Sequence, residues 1–214
     1  MSNYSTSAKL ITEFIGTFFL TLTICTAAAF GTAGSHAPFA IASTLMVMIY
    51  AGGHVSGAHY NPAVTVSIYI RGACDKSDVA PYIATQVAAG VAAALVASNV
   101  LMPNADVSSM AMDTTPALAA ELMFTFALAY VILNVATSES TEGNGYYGAA
   151  IAFVVLAGAL TVGSISGASF NPAVTASLVT SGVLEASDSW IHLVPQLAGA
   201  AMAAIAFNAQ QPEG

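Results

Sequence analysis

The segment Ser56-Gly57-Ala58-His59-Tyr60-Asn61-Pro62-Ala63-Val64-Thr65 returns, with two changes, as Ser166-Gly167-Ala168-Ser169-Phe170-Asn171-Pro172-Ala173-Val174-Thr175. The second copy lies 110 positions after the first (171 minus 61). The same shift carries Gly53 onto Gly163, Ser67 onto Ser177 and Gln86 onto Gln196. Glu13 and Glu121 are related by nearly the same shift, 108 (121 minus 13). Such correspondence marks an internal duplication, which any fold for this chain must accommodate.

What flanks each copy decides the setting. Apolar stretches run near residues 9–31, 38–55, 79–101, 116–137, 146–164 and 188–209. Each is close to the ~20 helical residues needed to cross a hydrocarbon core of ~30 Å. The first of them, over Leu10–Ala29, exceeds the apolar part of a secretory leader and reads as a membrane span. Hydrophobic residues make up 57% of the chain and charged residues 7%, against roughly a quarter charged in ordinary soluble domains. Too little polar surface exists to face water on all sides, so a lipid bilayer is the expected partner. The expected fold class is an all-α membrane protein with six transmembrane helices. It forms a single channel domain over 1–214, with repeat one over about 8–102 and repeat two over about 116–210. Three spans per repeat is an odd number, so the second copy enters the membrane from the opposite side, giving an inverted repeat.

Lys9, Arg71 and Lys76 are the only basic residues. With so few cations no nucleic acid partner is expected, although the net charge of −8 would by itself say little. All three fall on one side of a six-span topology, which by the positive-inside rule predicts cytoplasmic termini in a cell membrane. Cys25 and Cys74 lie in an apolar run and a polar loop, so both are expected as free thiols.

The repeated motif carries the chemistry. Asparagine is a preferred helix N-cap and proline is favoured at the first helical position. Asn61-Pro62-Ala63 and Asn171-Pro172-Ala173 therefore each start a helix, over about 62–70 and 172–181. At 1.5 Å per residue each is on the order of 15 Å long, half a bilayer. These are two re-entrant half-helices, and the inverted symmetry sets them tip to tip at the midplane. Their positive ends then oppose cations. Each asparagine caps its own helix through its carbonyl, leaving its NH₂ to donate to a passing oxygen. The preceding loops, Gly53–Tyr60 and Gly163–Phe170, would offer backbone carbonyls. Non-helical backbone at this depth is tolerated only where it is buried in protein or lines a watery cavity.

Gly53-His54-Val55-Ser56-Gly57-Ala58-His59-Tyr60-Asn61-Pro62-Ala63-Val64-Thr65 resembles the first signature loop of the aquaporins, the major intrinsic proteins. Ser166 to Ala173 resembles the second, and Glu13-Phe14-Ile15-Gly16-Thr17 the start of the family's first helix. The resemblance covers nearly the whole chain. It implies an aquaporin-like bundle, a pore in each protomer, usually a homotetramer, and passive transport of water and small neutral solutes. It also places an outer selectivity constriction at Ile41, Ala159, Ala168 and Val174. Most members of the family carry arginine where this chain has Val174, whereas some plant vacuolar intrinsic proteins are similar to it in having valine. A wide apolar constriction would admit glycerol, urea, ammonia or hydrogen peroxide, unless a side chain of the 102–115 loop narrows it.

Glu13 and Glu121 are carboxylates inside membrane spans, where such groups are costly and usually functional. They are expected to brace the re-entrant loops rather than relay protons. His54 and His59 are expected as loop support or pore lining. No cysteine or carboxylate accompanies them in that loop, so no metal is expected. Nor is a cofactor, because no nucleophile–base set or phosphate-binding loop is present, and the chain is not expected to be an enzyme. Two other readings remain at this point. An ion-coupled secondary transporter would need acids near the midplane, and a non-conducting scaffold would show no permeability.

Overall fold

A computed structural model describes residues 4–211. Among them the regular structure is helical: α1 (Thr6–Thr23), α2 (Ala37–Ser56), α3 (Pro62–Arg71), α4 (Lys76–Val96), α5 (Thr114–Ala136), α6 (Tyr147–Ser166), α7 (Pro172–Thr180) and α8 (Trp190–Gln210). π-helical turns extend α1 through Ile24–Ala29 and α4 through Ala97–Leu101. Six of the resulting helices are long and apolar enough to cross a membrane. Large apolar side chains such as Ile11, Val47, Phe153, Val194 and Ile205 stay exposed along them. In water that surface would be a liability; in a bilayer it is where the lipid lies. The chain is an integral membrane protein.

Helix packing follows the duplication. α1 packs on α4 and on α2, while α5 packs on α8 and on α6. α4 meets α7, and its counterpart α8 meets α3. α2 and α6 pack against each other. Exchanging the halves, α1 for α5 through α4 for α8, maps this set of contacts onto itself. Small residues permit the close approach: Ala89, Ala93, Ala94, Ala129, Ala200, Ala203 and Ala204 are wholly buried. Dispersion between tightly packed backbones drives helix association in lipid, where the hydrophobic effect is weak.

Gly90 is one such place, where α4 backs the half-helix α7. A Cβ there would sit 2.5 Å from the carbonyl oxygen of Ala173, at the first turn of α7. The obstacle is backbone and cannot rotate away. Gly90→Ala is therefore expected to destabilise the fold by about 1–3 kcal/mol, as overpacking generally does. Thermal unfolding in detergent would read this as a lower midpoint. An unchanged midpoint would mean that α7 is not held against α4.

The re-entrant loops are shorter than the sequence predicts. α2 and α6 continue through Gly53 and Gly163 to Ser56 and Ser166. They end at Gly57 and Gly167, whose φ values of 87° and 78° are left-handed, a conformation that glycine adopts without steric cost. Helical backbone satisfies its own hydrogen bonds, so prolonging each span leaves less bare backbone at membrane depth.

Candidate functional site

Each half-helix begins as its sequence dictates. Asn61 is extended, and its side-chain oxygen accepts from the backbone N–H of Ala63 at 2.8 Å and of Val64 at 3.4 Å. Asn171 caps α7 in the same way, accepting from Ala173 at 2.9 Å. Pro62 and Pro172 occupy the first helical positions, where a missing N–H costs nothing. The helices have 10 and 9 residues, so each is on the order of 15 Å long.

The two tips are joined by bonds that cross from one half to the other. The Asn61 amide donates to the Phe170 carbonyl at 2.9 Å, and the Asn171 amide donates to the Tyr60 carbonyl at 2.9 Å. This corrects the expectation that each NH₂ is left wholly free. One N–H of each group clamps the opposite loop, because Tyr60 and Phe170 carry carbonyls that α2 and α6 cannot satisfy. Each amide has a second N–H, and both asparagines line the central cavity. With two helix N-termini abutting there, the field is positive at that level.

The loops that deliver these carbonyls are strained. Ala58, Tyr60, Ala168 and Phe170 have φ near +50° (52°, 49°, 50° and 50°). Non-glycine residues in this region cost on the order of 1–3 kcal/mol each and persist only where the surroundings hold them. Glu13 and Glu121 supply that hold. The Glu13 carboxylate accepts from the Ser56 hydroxyl at 2.7 Å, the His59 and Tyr60 backbone N–H groups at 2.9 and 2.8 Å, and the Gln86 amide at 2.8 Å. Glu121 accepts from Ser166 (2.7 Å), Ser169 N–H (3.0 Å), Phe170 N–H (2.8 Å) and Gln196 (2.8 Å). Both carboxylates are fully buried. Sequence reasoning assigned no role to Ser56, Ser166, Gln86 or Gln196, although both glutamines stand out by the 110-residue shift.

His59 is buried beneath the first loop, with Nδ1 3.1 Å from the Thr65 hydroxyl and its ring edge-on to Tyr82. In the second loop Ser169 meets the Thr175 hydroxyl at 2.9 Å. His54 departs from expectation. It lies in the last turn of α2, is exposed, and faces the Tyr4 ring. Because α2 continues to Ser56, His54 points off the helix and cannot brace the loop. Among the described residues no group of three or more His, Cys, Asp or Glu is placed to hold a metal.

A cavity of about 490 Å³ runs past the two tips. At one end it is lined by Gly34, Pro38, Met110 and Val183, and at the other by Ala73, Ala136, Thr137 and Tyr147. Between them its wall is mostly hydrocarbon, interrupted by His59, Asn61, Ser169 and Asn171. Ile41, Ala159, Ala168 and Val174 all contribute to the wall. Pro62, Ala63, Pro172 and Ala173 are buried behind the asparagines. The geometry provides donors where the two helix tips meet and a mostly apolar wall on either side.

Comparison with known proteins agrees with this geometry. Residues 1–207 match the family model described as major intrinsic protein. Aquaporin NIP1-3 of Oryza sativa subsp. japonica is 37% identical over 94% of this chain and 72% of its own length. Aquaporin NIP1-2 of Arabidopsis thaliana is 33% identical over 94% of this chain and 73% of its own. Among solved structures, the aquaglyceroporin from Plasmodium falciparum superimposes with a TM-score of 0.77 at 20% identity, covering 95% of this chain and 96% of that one.

Proposed function

The chain belongs to the major intrinsic protein family, a passive channel for water and small neutral solutes, and on that premise we propose that its outer constriction is a wide apolar ring that passes solutes larger than water. The observation that carries this reading is the chemistry of Ile41, Ala159, Ala168 and Val174. All four side chains are hydrocarbon, two of the four are single methyl groups from alanine, and all four border the cavity. An arginine at such a place would supply a fixed cation, donors and bulk together; Val174 supplies none of them. Glycerol, urea, ammonia and hydrogen peroxide fit the reading, since each is uncharged and small.

Asn61 and Asn171, with Pro62-Ala63 and Pro172-Ala173 fixing their helices, form the midplane filter. Their free N–H groups donate to a passing oxygen, and the opposed helix ends repel protons and cations. Glu13 and Glu121 act on transport only by holding the loops, while His59 both braces its loop and adds a polar group to the cavity wall. No catalytic step belongs to this reading. The working assembly is a homotetramer in the cell membrane, with both termini on the cytoplasmic side, the side of Lys9, Arg71 and Lys76.

Stopped-flow light scattering on reconstituted proteoliposomes tests the reading. Water, glycerol and urea are each expected to cross faster than in protein-free vesicles, with rates proportional to the gradient and no saturation. Glycerol and urea rates equal to those of bare lipid would refute the wide ring. Saturable uptake coupled to an ion gradient would refute the channel in favour of a carrier.

A further inference from the structure

Residues 102–113 join the π-helical end of α4 to α5 without regular secondary structure. Loops of roughly a dozen residues with no structure of their own are usually functional. This one returns to the mouth of the cavity. The Met110 N–H donates to the Val183 carbonyl at 2.9 Å, which anchors the loop beside the end of α7. From there the Met110 side chain runs inward. Its Sδ and Cε lie 3.1 and 2.7 Å from the point where a Cβ on Gly167 would stand. The thioether therefore rests on the bare backbone of the second re-entrant loop, one residue before Ala168. It also packs against the cluster of Val174, Leu178 and Leu184, and it borders the cavity.

These contacts set Met110 beside two members of the proposed ring. We propose that Met110 is a fifth specificity-determining residue of the outer mouth, its thioether filling the side that Val174 leaves open. The inference rests on the apolar-ring reading and deepens it. The mouth is then narrower than the four ring side chains alone imply, and its added wall is soft. Methionine has no branch and a polarizable sulfur, so it adapts to irregular space and yields to a passing solute. It offers no N–H or O–H, which keeps the ring apolar.

Sulfur also gives this wall a chemistry that valine and alanine lack. A hydroperoxide in the mouth can transfer one oxygen atom to the thioether: the O–O bond breaks, an S–O bond forms, sulfur loses two electrons, and hydrogen peroxide leaves as water. The resulting sulfoxide is larger and carries a strong acceptor. Oxidation of Met110 would therefore obstruct the mouth and make it polar.

The test compares wild type, Met110→Ala, Met110→Leu and Val174→Arg in proteoliposomes, with glycerol and water as probes. Met110→Ala is expected to raise the glycerol-to-water ratio roughly threefold, an effect within the range seen between neighbouring residues, and Met110→Leu to leave it near wild type. Hydrogen peroxide treatment should lower glycerol flux in wild type and spare Met110→Leu, which carries the test even if Met110→Ala folds poorly. If Val174→Arg alters the ratio while Met110→Ala and peroxide do not, Met110 is no part of the filter and the ring stands without it. Should none of these change the ratio, the ring reading falls and this inference with it.

Discussion

Val174→Arg is expected to cut glycerol and urea permeability about tenfold or more, a barrier increase of at least ~1.4 kcal/mol, while water continues to pass. Val174 is 2% exposed and borders the cavity beside Ala168, Ile41 and Met110. A guanidinium there would occupy the lumen and present several N–H donors where the wall is now hydrocarbon. Water can exchange hydrogen bonds with such a group one molecule at a time. A three-carbon polyol must also fit past its bulk. Paired glycerol and water measurements on the same vesicles check this. Unchanged glycerol flux in a folded variant would show that solute selection happens elsewhere.

Glu121→Leu is expected to abolish the folded channel. Four donors converge on that carboxylate: the Ser166 hydroxyl, the Ser169 and Phe170 backbone N–H groups, and the Gln196 amide. Leaving a buried donor unsatisfied costs ~1–3 kcal/mol, so four amount to roughly 4–12 kcal/mol. That rivals the ~5–15 kcal/mol by which whole domains are stable. The loop would also lose what holds Ala168 and Phe170 at positive φ, and with Phe170 goes the carbonyl that Asn61 clamps. Glu121→Gln should be milder, because one acceptor oxygen survives. Recovery of monodisperse protein and its osmotic flux measure both variants. A proton-relay carboxylate would behave differently, with Glu121→Gln folding normally and only its pH response altered.

Much of this architecture was legible because it is encoded locally and written twice. Asn-Pro fixes a cap and a first turn within a few residues, so the half-helices start at Pro62 and Pro172 as the sequence implies. Six apolar runs of span length need no tertiary information either. What stayed hidden depends on partners far away in the chain. The bond from Asn61 to Phe170 joins residues 109 apart, and nothing near Asn61 announces it. The extension of α2 and α6 to Ser56 and Ser166 also escaped. Gly53 and Gly163 read locally as loop residues, whereas lipid penalises every unpaired backbone group and favours the longer helix. His54 was misplaced for the same reason. Met110 had no motif at all; only the return of its loop to Val183 reveals it.

The central claim is that solute travels along the cavity past the second loop, and a single engineered thiol addresses it. Ala168→Cys would place a sulfhydryl in the wall one residue from Gly167. The native thiols are poor competitors: Cys25 is buried, and burial, with help from Asp78 and Asp75, pushes the Cys74 thiol up to about 11, so it stays protonated and slow to react near neutral pH. The measurement is osmotic water and glycerol flux of this variant before and after a disulfide-forming methanethiosulfonate reagent. The account predicts that both fluxes fall toward the level of bare lipid and return on adding a reductant. Complete labelling of Cys at 168 with both fluxes unchanged would contradict it.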